Sequence, residues 1–185
     1  MLGFSVVLDT CAIYPAYLRD TLLRLAAAET YRPLWSAHIL DELRSLLIDR
    51  IDVASADQIF DAMTRHFPDA LVTGYESLIP AMTNHPKDRH VLAAAVRANA
   101  DAIVTFNLDD FPATATDPLE IDVLHPDAFL LNQIDLVPQR VLHVLDEQVV
   151  GYARPAMDLY GLAGTLSRAG CPEAAEAVRR HINSS

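Results

Sequence analysis

Short hydrophobic runs that alternate with helical segments constrain the fold of this chain more than any other feature. Four runs have the apolar, β-branched or aromatic character of short buried strands: residues 5–8, 33–36, 102–106 and 121–124. Helical patterns lie between these runs, at residues 15–29, 37–50, 55–66 and 88–99. Strands that are separated by helices predict a parallel sheet with helices on both faces. Residues 70–73 fit either a further strand or the start of a helical turn around 75–82.

Beyond residue 125 the pattern is helical throughout. We expect helices at 126–133, 138–150 and 155–168, and then a last helix. Gly170 suits a left-handed helix end, and Pro172 suits the first position of the helix that follows. We therefore expect an α/β domain in residues 1–130 and a helical extension in residues 131–185 that packs on it.

Composition predicts a folded protein without a membrane segment. Hydrophobic residues make up 51% of the 185 residues and charged residues 21%. The apolar run near the N-terminus has no basic residues before it and is interrupted by Asp9, so we expect no signal peptide, no membrane span and a cytoplasmic location. Cys11 and Cys171 form no CxxC pair, which predicts reduced, structural thiols.

The net charge of −11 is unevenly distributed along the chain. Residues 1–130 carry 19 acidic and 9 basic side chains, which leaves −10 in that part. Such an excess argues against a broad basic surface for nucleic acid, because phosphate contacts need Lys or Arg. Bound divalent cations or a basic partner protein would weaken this objection.

Acidic side chains follow two of the predicted strands directly. Asp9 comes after the first strand, and Asn107, Asp109 and Asp110 come after the strand at 102–106. Ligands of an open parallel sheet bind beyond the carboxyl ends of its strands, so these positions favour chemistry. Asp88 opens the helix that leads into the second of these strands. Each acid also has a structural alternative, Asp9 as a turn former and Asp88 as a helix cap.

Glu42 lies on the helix predicted at 37–50. At roughly 100° per residue, Glu42 lies at the border of the apolar stripe and Asp41 lies nearly opposite that stripe. We therefore expect Asp41 in solvent and Glu42 at the rim of the buried face, where its carboxylate either points into a cleft or is an ordinary boundary side chain.

Several carboxylates that converge within a few ångströms repel one another unless a divalent cation lies between them. Oxygen ligands favour Mg²⁺ or Mn²⁺, which bind phosphate oxygens and keep several waters. Such a site can activate water for attack on a phosphodiester. The acids therefore predict a metal-dependent hydrolase that needs no protein nucleophile.

Four segments, in this order and spacing, resemble the acidic blocks of PIN-domain nucleases, especially the VapC-type toxins: VVLDTCA, ILDELR, PKDRHVLAAA and VTFNLDDFP. The resemblance spans residues 5–125 and implies a three-layer α/β/α sandwich with a central parallel sheet, with a PIN-like catalytic domain in residues 1–130. It also implies that Asp9, Glu42 and Asp88 bind metal and that Thr105, with Thr10, orients the site. Toxins of this type cleave RNA, are silenced by an antitoxin and commonly form homodimers.

The fourth block departs from the family pattern. The position two residues after Thr105 is usually acidic in the family and is Asn107 here. Asn107 can still ligate a metal through its amide oxygen, and Asp110, or less favourably Asp109, would supply the missing charge. We therefore place Asn107 and Asp110 at the predicted site.

The remaining predictions concern the substrate. Lys87, Arg89 and His90 flank Asp88 and are candidate contacts for RNA phosphates, although such residues are often simply solvated. The histidines lack the spacing of a zinc site. Two alternatives stay open: a PIN-fold protein that binds metal or a partner without catalysis, and a nuclease that acts on single-stranded DNA. The C-terminal helices either pack as structure or form a groove for an antitoxin segment.

Overall fold

A computed structural model describes residues 3–152 and 156–184. The chain divides into two compact units. The first unit comprises residues 1–14 and 31–124, and the second comprises residues 15–30 and 125–185. The boundary predicted at residue 130 stays a prediction.

The first unit is built on a five-stranded sheet whose neighbouring strands are all parallel. The strands are β1 (Ser5–Leu8), β2 (Arg32–Ser36), β3 (Leu71–Val72), β4 (Ala102–Val104) and β5 (Asp122–Leu124), in the spatial order β3-β2-β1-β4-β5. The predicted parallel sheet is thus confirmed. The open choice at 70–73 resolves as a short strand, which is followed by a 3₁₀ turn at Glu76–Ala81.

The strand predicted at 102–106 is shorter than expected. The backbone N–H of Thr105 still donates to the carbonyl of Leu124 at 3.0 Å, which continues the pairing of β4 with β5 by one residue. A 3₁₀ turn at Leu108–Asp110 follows. Asp109 and Asp110, the acidic residues of the fourth block, lie on this turn.

The described residues contain ten α-helices: α1 (Thr10–Ile13), α2 (Ala16–Ala27), α3 (Ala37–Ile48), α4 (Val53–His66), α5 (Arg89–Ala98), α6 (Ala113–Thr116), α7 (Pro126–Leu136), α8 (Pro138–Val150), α9 (Leu159–Arg168) and α10 (Pro172–Ser184). Polar residues form two of the helix ends. The hydroxyl of Ser36 accepts from the backbone N–H of Ile39 and caps α3, and Asn99 ends α5 with a φ of 50°.

Helix α5 contacts four strands, namely β1 to β4. Its alanines Ala93, Ala94 and Ala95 are fully buried, and small side chains allow a helix to approach a sheet closely. The packing of α5 fixes the position of its first residues. It therefore also fixes the position of Asp88, which immediately precedes them.

The second unit contains α2 and α7 to α10, joined by turns and loops, with no β-strand among its described residues. Asp127 on α7 caps α10, because its Oδ2 and Oδ1 accept from the backbone N–H groups of Glu173 and Ala174 at 3.0 and 2.8 Å. The helix predicted at 155–168 begins at Leu159. The first residue of that predicted range lies outside the described residues.

Candidate active site

Asp9 is buried at the carboxyl end of β1, with 3% of its surface exposed. Its Oδ1 accepts from the backbone N–H of Thr10 at 2.7 Å, so Asp9 does cap the short helix α1. Its Oδ2 accepts from the hydroxyl of Thr105 at 2.7 Å and from the thiol of Cys11 at 3.0 Å. Because β1 and β4 are adjacent parallel strands, their ends bring Asp9 and Thr105 together. The carboxylate is therefore held in one orientation.

Asp88 is buried at the start of α5, with 5% of its surface exposed. Its side chain does not cap α5, and no group among the described residues forms a hydrogen bond with its Oδ2. Burial, then the charge of Asp9, then the neighbouring carboxyl of Asp110 raise the pKa of Asp88 to about 6. An ionised Asp88 is thus a buried negative charge that a cation would stabilise.

Asp110 lies close to Asp88 and to His85. Nδ1 of His85 lies 3.7 Å from Oδ2 of Asp88 and 4.0 Å from Oδ1 of Asp110. One ligand atom from each of the three side chains fits within a mutual distance of 4.8 Å. The backbone N–H of His85 donates to the carbonyl of Asp110 at 2.9 Å and joins the two segments.

The other candidates of the fourth block lie differently. Asn107 and Asp109 are exposed, whereas Asp110 is half-buried. The backbone N–H of Asn107 donates to the hydroxyl of Thr105 at 3.0 Å, so this hydroxyl contacts both the first and the fourth acidic block. Of the two acids that could supply the missing charge, Asp110 belongs to the cluster with Asp88. A ligand role for Asn107 stays a prediction.

Glu42 is half-buried on α3, and its neighbour Asp41 is exposed, as the helical pattern predicts. The hydroxyl of Thr10 donates to Oε2 of Glu42 at 2.7 Å. Thr10 also donates its backbone N–H to Asp9, so this one residue holds the carboxylates of the first and second blocks. Nε2 of His90 lies 3.3 Å from Oε1 of Glu42, within ion-pair range, but the pair is not aligned as a hydrogen bond.

Sequence reasoning treated His90 as a flanking residue that could meet a phosphate, yet its side chain is buried. Burial lowers its pKa, and the charge of Glu42 opposes that change. The ring of His90 packs edge-on against His38 at 5.3 Å, and the hydroxyl of Tyr75 lies 2.9 Å from Nδ1 of His38. His90, His38 and Tyr75 thus form a chain of side-chain contacts that begins at Glu42. Because His38 and His90 lie far apart in the sequence, no local pattern predicts their contact.

Two further residues of the site were missed. The thiol of Cys11 contacts Asp9, and burial followed by the charge of Asp9 raises the pKa of Cys11 to about 12. His85 precedes Asp88 by three residues and stands immediately before the 3₁₀ turn Pro86–Asp88. The sequence signal that could have identified His85 is its position three residues before an acid.

The candidate phosphate contacts lie beside Asp88. Lys87 is exposed. Its charge acts to lower the pKa of Asp88, but the causes that raise this pKa are larger. Arg89 is half-buried, and its Nε donates to the carbonyl of Asn84 at 3.3 Å. The roles of Lys87 and Arg89 toward RNA stay predictions.

Comparison with known proteins gives matches over both parts of the chain. A family model described as a PIN domain matches residues 5–109, and a model described as the VapC50 C-terminal domain matches residues 126–180. A protein of Mycobacterium tuberculosis (strain ATCC 25618 / H37Rv), named "Putative ribonuclease VapC50", is 46% identical over 111 residues. No solved structure gives a significant match.

The aligned region covers 60% of this chain and 65% of the mycobacterial protein, which is less than two thirds of that relative's length. The predicted resemblance to PIN-domain and VapC-type proteins is confirmed by these matches. The predicted α/β/α class with a central parallel sheet and C-terminal helices is confirmed with it. No helix in the described part of the chain is long and apolar enough to cross a membrane.

Proposed function

Because this chain belongs to the PIN-domain family, we propose that it is a metal-dependent endoribonuclease, the toxin of a toxin and antitoxin pair. One observation carries the proposal. Oδ2 of Asp88 is buried without a hydrogen-bond partner among the described residues, and the charges of Asp9 and Asp110 act on the same carboxyl. A buried carboxylate in that setting is suited to holding a cation.

The side chains present fit a divalent ion that prefers oxygen ligands. Asp9, Asp88 and Asp110 would hold it, with Asn107 as a further oxygen ligand, and these residue types favour Mg²⁺ or Mn²⁺. The bound ion would supply positive charge for the phosphodiester and its leaving oxygen and would favour ionisation of the attacking water.

Residues of the chain prepare this site in advance. Thr105 and Thr10 orient the carboxylates of Asp9 and Glu42 through hydrogen bonds of 2.7 Å. Glu42 keeps 41% of its side chain exposed, so it can meet solvent water or a substrate while Thr10 holds it. We assign Glu42 the role of accepting a proton from the attacking water, because a fixed carboxylate near the reacting phosphate suits that task.

RNA is the proposed substrate, and the name of the mycobacterial relative supports this choice. The acidic charge of the chain predicts limited contact with the phosphate backbone, with Lys87 and Arg89 as the nearest cations to Asp88 in sequence. An antitoxin partner, a homodimeric state and a cytoplasmic location complete the proposal. The VapC-type relationship supports the antitoxin partner and the homodimer.

A cleavage assay with matched substrates tests the proposal. A labelled RNA and a single-stranded DNA of the same sequence are incubated with the protein in Mg²⁺ or Mn²⁺, with and without EDTA. We expect metal-dependent cleavage of RNA, and a loss of about 10²–10³-fold in Asp88→Asn and Glu42→Gln. Asp41→Asn is the matched control, since Asp41 is exposed beside Glu42.

The assay separates the alternatives clearly. Cleavage that survives EDTA, or that persists in both site variants, would contradict the proposed chemistry. Cleavage of the DNA but not of the RNA would change the substrate class. Metal binding without cleavage of either nucleic acid would favour a non-catalytic member of the family.

A further inference from the structure

His85 faces the same two carboxylates that the proposed metal site needs. We infer that Nδ1 of His85 is a ligand of the divalent ion together with Asp88 and Asp110, so that the site contains nitrogen and prefers Mn²⁺ to Mg²⁺. The inference rests on the proposed function for the presence of an ion. It adds a ligand that the four acidic blocks do not contain.

The distances fit shared coordination better than a direct contact. Nδ1 of His85 lies 3.7 Å from Oδ2 of Asp88 and 4.0 Å from Oδ1 of Asp110, both longer than a hydrogen bond. Two ligand atoms that each lie about 2.1 Å from one ion are at most about 4.2 Å apart. Both distances fall below that limit.

The side-chain hydrogen bond of His85 indicates which nitrogen carries a lone pair. Nδ1 accepts a long hydrogen bond from the backbone N–H of Lys87 at 3.4 Å, so it is not the protonated nitrogen in this arrangement, and a bound ion would replace that N–H at the same lone pair. Nδ1 then cannot donate to Asp88 or Asp110. Three electron-rich atoms therefore face one another, and a cation is the group that would make such an arrangement favourable.

The buried oxygen of Asp88 is an independent indication of a ligand. Oδ2 is the oxygen of Asp88 that lies nearest to Nδ1 of His85. Within the described ranges, no group forms a hydrogen bond with this oxygen. An unpartnered buried carboxylate oxygen is costly unless a ligand satisfies it. The backbone bond from His85 to Asp110 keeps the imidazole next to this oxygen before any ion arrives.

A nitrogen ligand changes the ion that the site selects. Mg²⁺ binds almost entirely through oxygen, whereas first-row transition ions accept imidazole readily. His85 has 52% of its side chain exposed, so the imidazole lies at the open side of the cluster. Its replacement should therefore weaken Mn²⁺ binding and leave Mg²⁺ binding nearly unchanged.

The experiment measures binding of Mn²⁺ to the full chain, without RNA. Free Mn²⁺ is quantified by electron paramagnetic resonance, and electron spin echo modulation detects the nitrogen of a coordinated imidazole. The variants are His85→Ala, Asp88→Asn and the control His143→Ala, whose histidine is exposed in the second unit. Circular dichroism checks that each variant folds, and competition with Mg²⁺ gives the second affinity.

We expect nitrogen modulation in the unmodified protein and in His143→Ala, and its loss in His85→Ala with at least about a tenfold weaker affinity for Mn²⁺. Mn²⁺ that binds without nitrogen modulation, and equally well in His85→Ala, overturns the inference and leaves the proposed nuclease intact. Failure of the unmodified protein to bind Mn²⁺ overturns the inference and the proposed metal site together.

Discussion

The hydroxyl of Thr105 donates to Oδ2 of Asp9 at 2.7 Å, across 96 positions of sequence. The same hydroxyl accepts from the backbone N–H of Asn107, so it joins the end of β1 to the turn that follows β4. Thr105 is fully buried, so its hydroxyl has no contact with solvent. Its orientation therefore fixes the carboxylate that the proposed site depends on.

Replacement of Thr105 by valine removes this hydroxyl at nearly constant volume. We expect Thr105→Val to weaken Mn²⁺ binding about 10–100-fold, the usual cost of losing a residue that orients a metal ligand. The loss of the buried hydrogen bond should also lower the free energy of unfolding by about 1–3 kcal/mol. Isothermal titration calorimetry and urea unfolding measure the two effects.

Thr105→Ser is the matched control for that substitution, because serine keeps the hydroxyl. It should retain most of the Mn²⁺ affinity. Equal affinity in the valine and serine variants would mean that the bond from Thr105 to Asp9 does not orient a metal ligand.

The raised pKa of Asp88 predicts a specific dependence of stability on pH. Its ordinary value is 3.8, and burial, Asp9 and Asp110 raise it to about 6. Between these values the folded protein holds a proton that the unfolded chain has lost, so this contribution to stability is present in acid and is lost as pH rises to about 6. Metal-free Asp88→Asn should therefore unfold at a higher temperature than the unmodified protein at pH 7.

Scanning calorimetry in EDTA from pH 4.5 to 7.5 checks this prediction. Each kcal/mol should shift the midpoint by about 2–4 °C in a chain of this size. Saturating Mn²⁺ should reverse the order, since it stabilises only the form that binds it. A less stable Asp88→Asn in EDTA at pH 7 would contradict the view of Asp88 as an uncompensated charge.

Much of the site was predictable because parallel strands bring their carboxyl ends to one edge. This rule places Asp9 and the fourth block near each other without any knowledge of side-chain contacts. The helical period likewise assigned Glu42 to the rim of α3 and Asp41 to solvent. These predictions depend on local patterns, which a single sequence carries well.

The remaining contacts depend on packing between segments that no local pattern relates. His90 is buried against His38 and Glu42, although it lies in a polar run that looks exposed. His85 meets Asp110 only because a backbone hydrogen bond joins two separate turns. Sequence periodicity is silent on both contacts, because each one joins side chains of two separate segments.

Both cysteine thiols should be nearly inert in the folded protein. Burial is the largest cause that raises the pKa of Cys11 and of Cys171 to about 12, and the charges of Asp9 and Asp127 act in the same direction. The change from 9.0 lowers the fraction of reactive thiolate about a thousandfold at neutral pH. Iodoacetamide at pH 7.5, read by mass spectrometry, should label neither residue until urea unfolds the chain.

Rapid labelling of Cys11 in the native protein would contradict this prediction. It would indicate that the thiol does not donate to Asp9 in solution. The variant Cys11→Ser keeps a hydrogen-bond donor beside Asp9 but removes the labelled thiol. Its metal affinity therefore shows the effect of the substitution without any labelling.

The helix cap formed by Asp127 should contribute measurably to the stability of the second unit. Asp127→Ala removes the acceptors of two backbone N–H groups at the start of α10, at a cost of about 1–2 kcal/mol. Thermal unfolding followed by circular dichroism measures the loss. Asp135→Ala, an exposed acid on the same helix, is the control and should change the midpoint little.

Acids from separate segments should together hold one divalent ion. A crystal structure of the protein soaked in Mn²⁺, with anomalous diffraction data, shows whether they do. We expect an anomalous peak bonded to Oδ2 of Asp88 and within reach of Asp9 and Asp110. A peak elsewhere on the protein, with none beside Asp88 at saturating Mn²⁺, would mean that these acids do not share an ion.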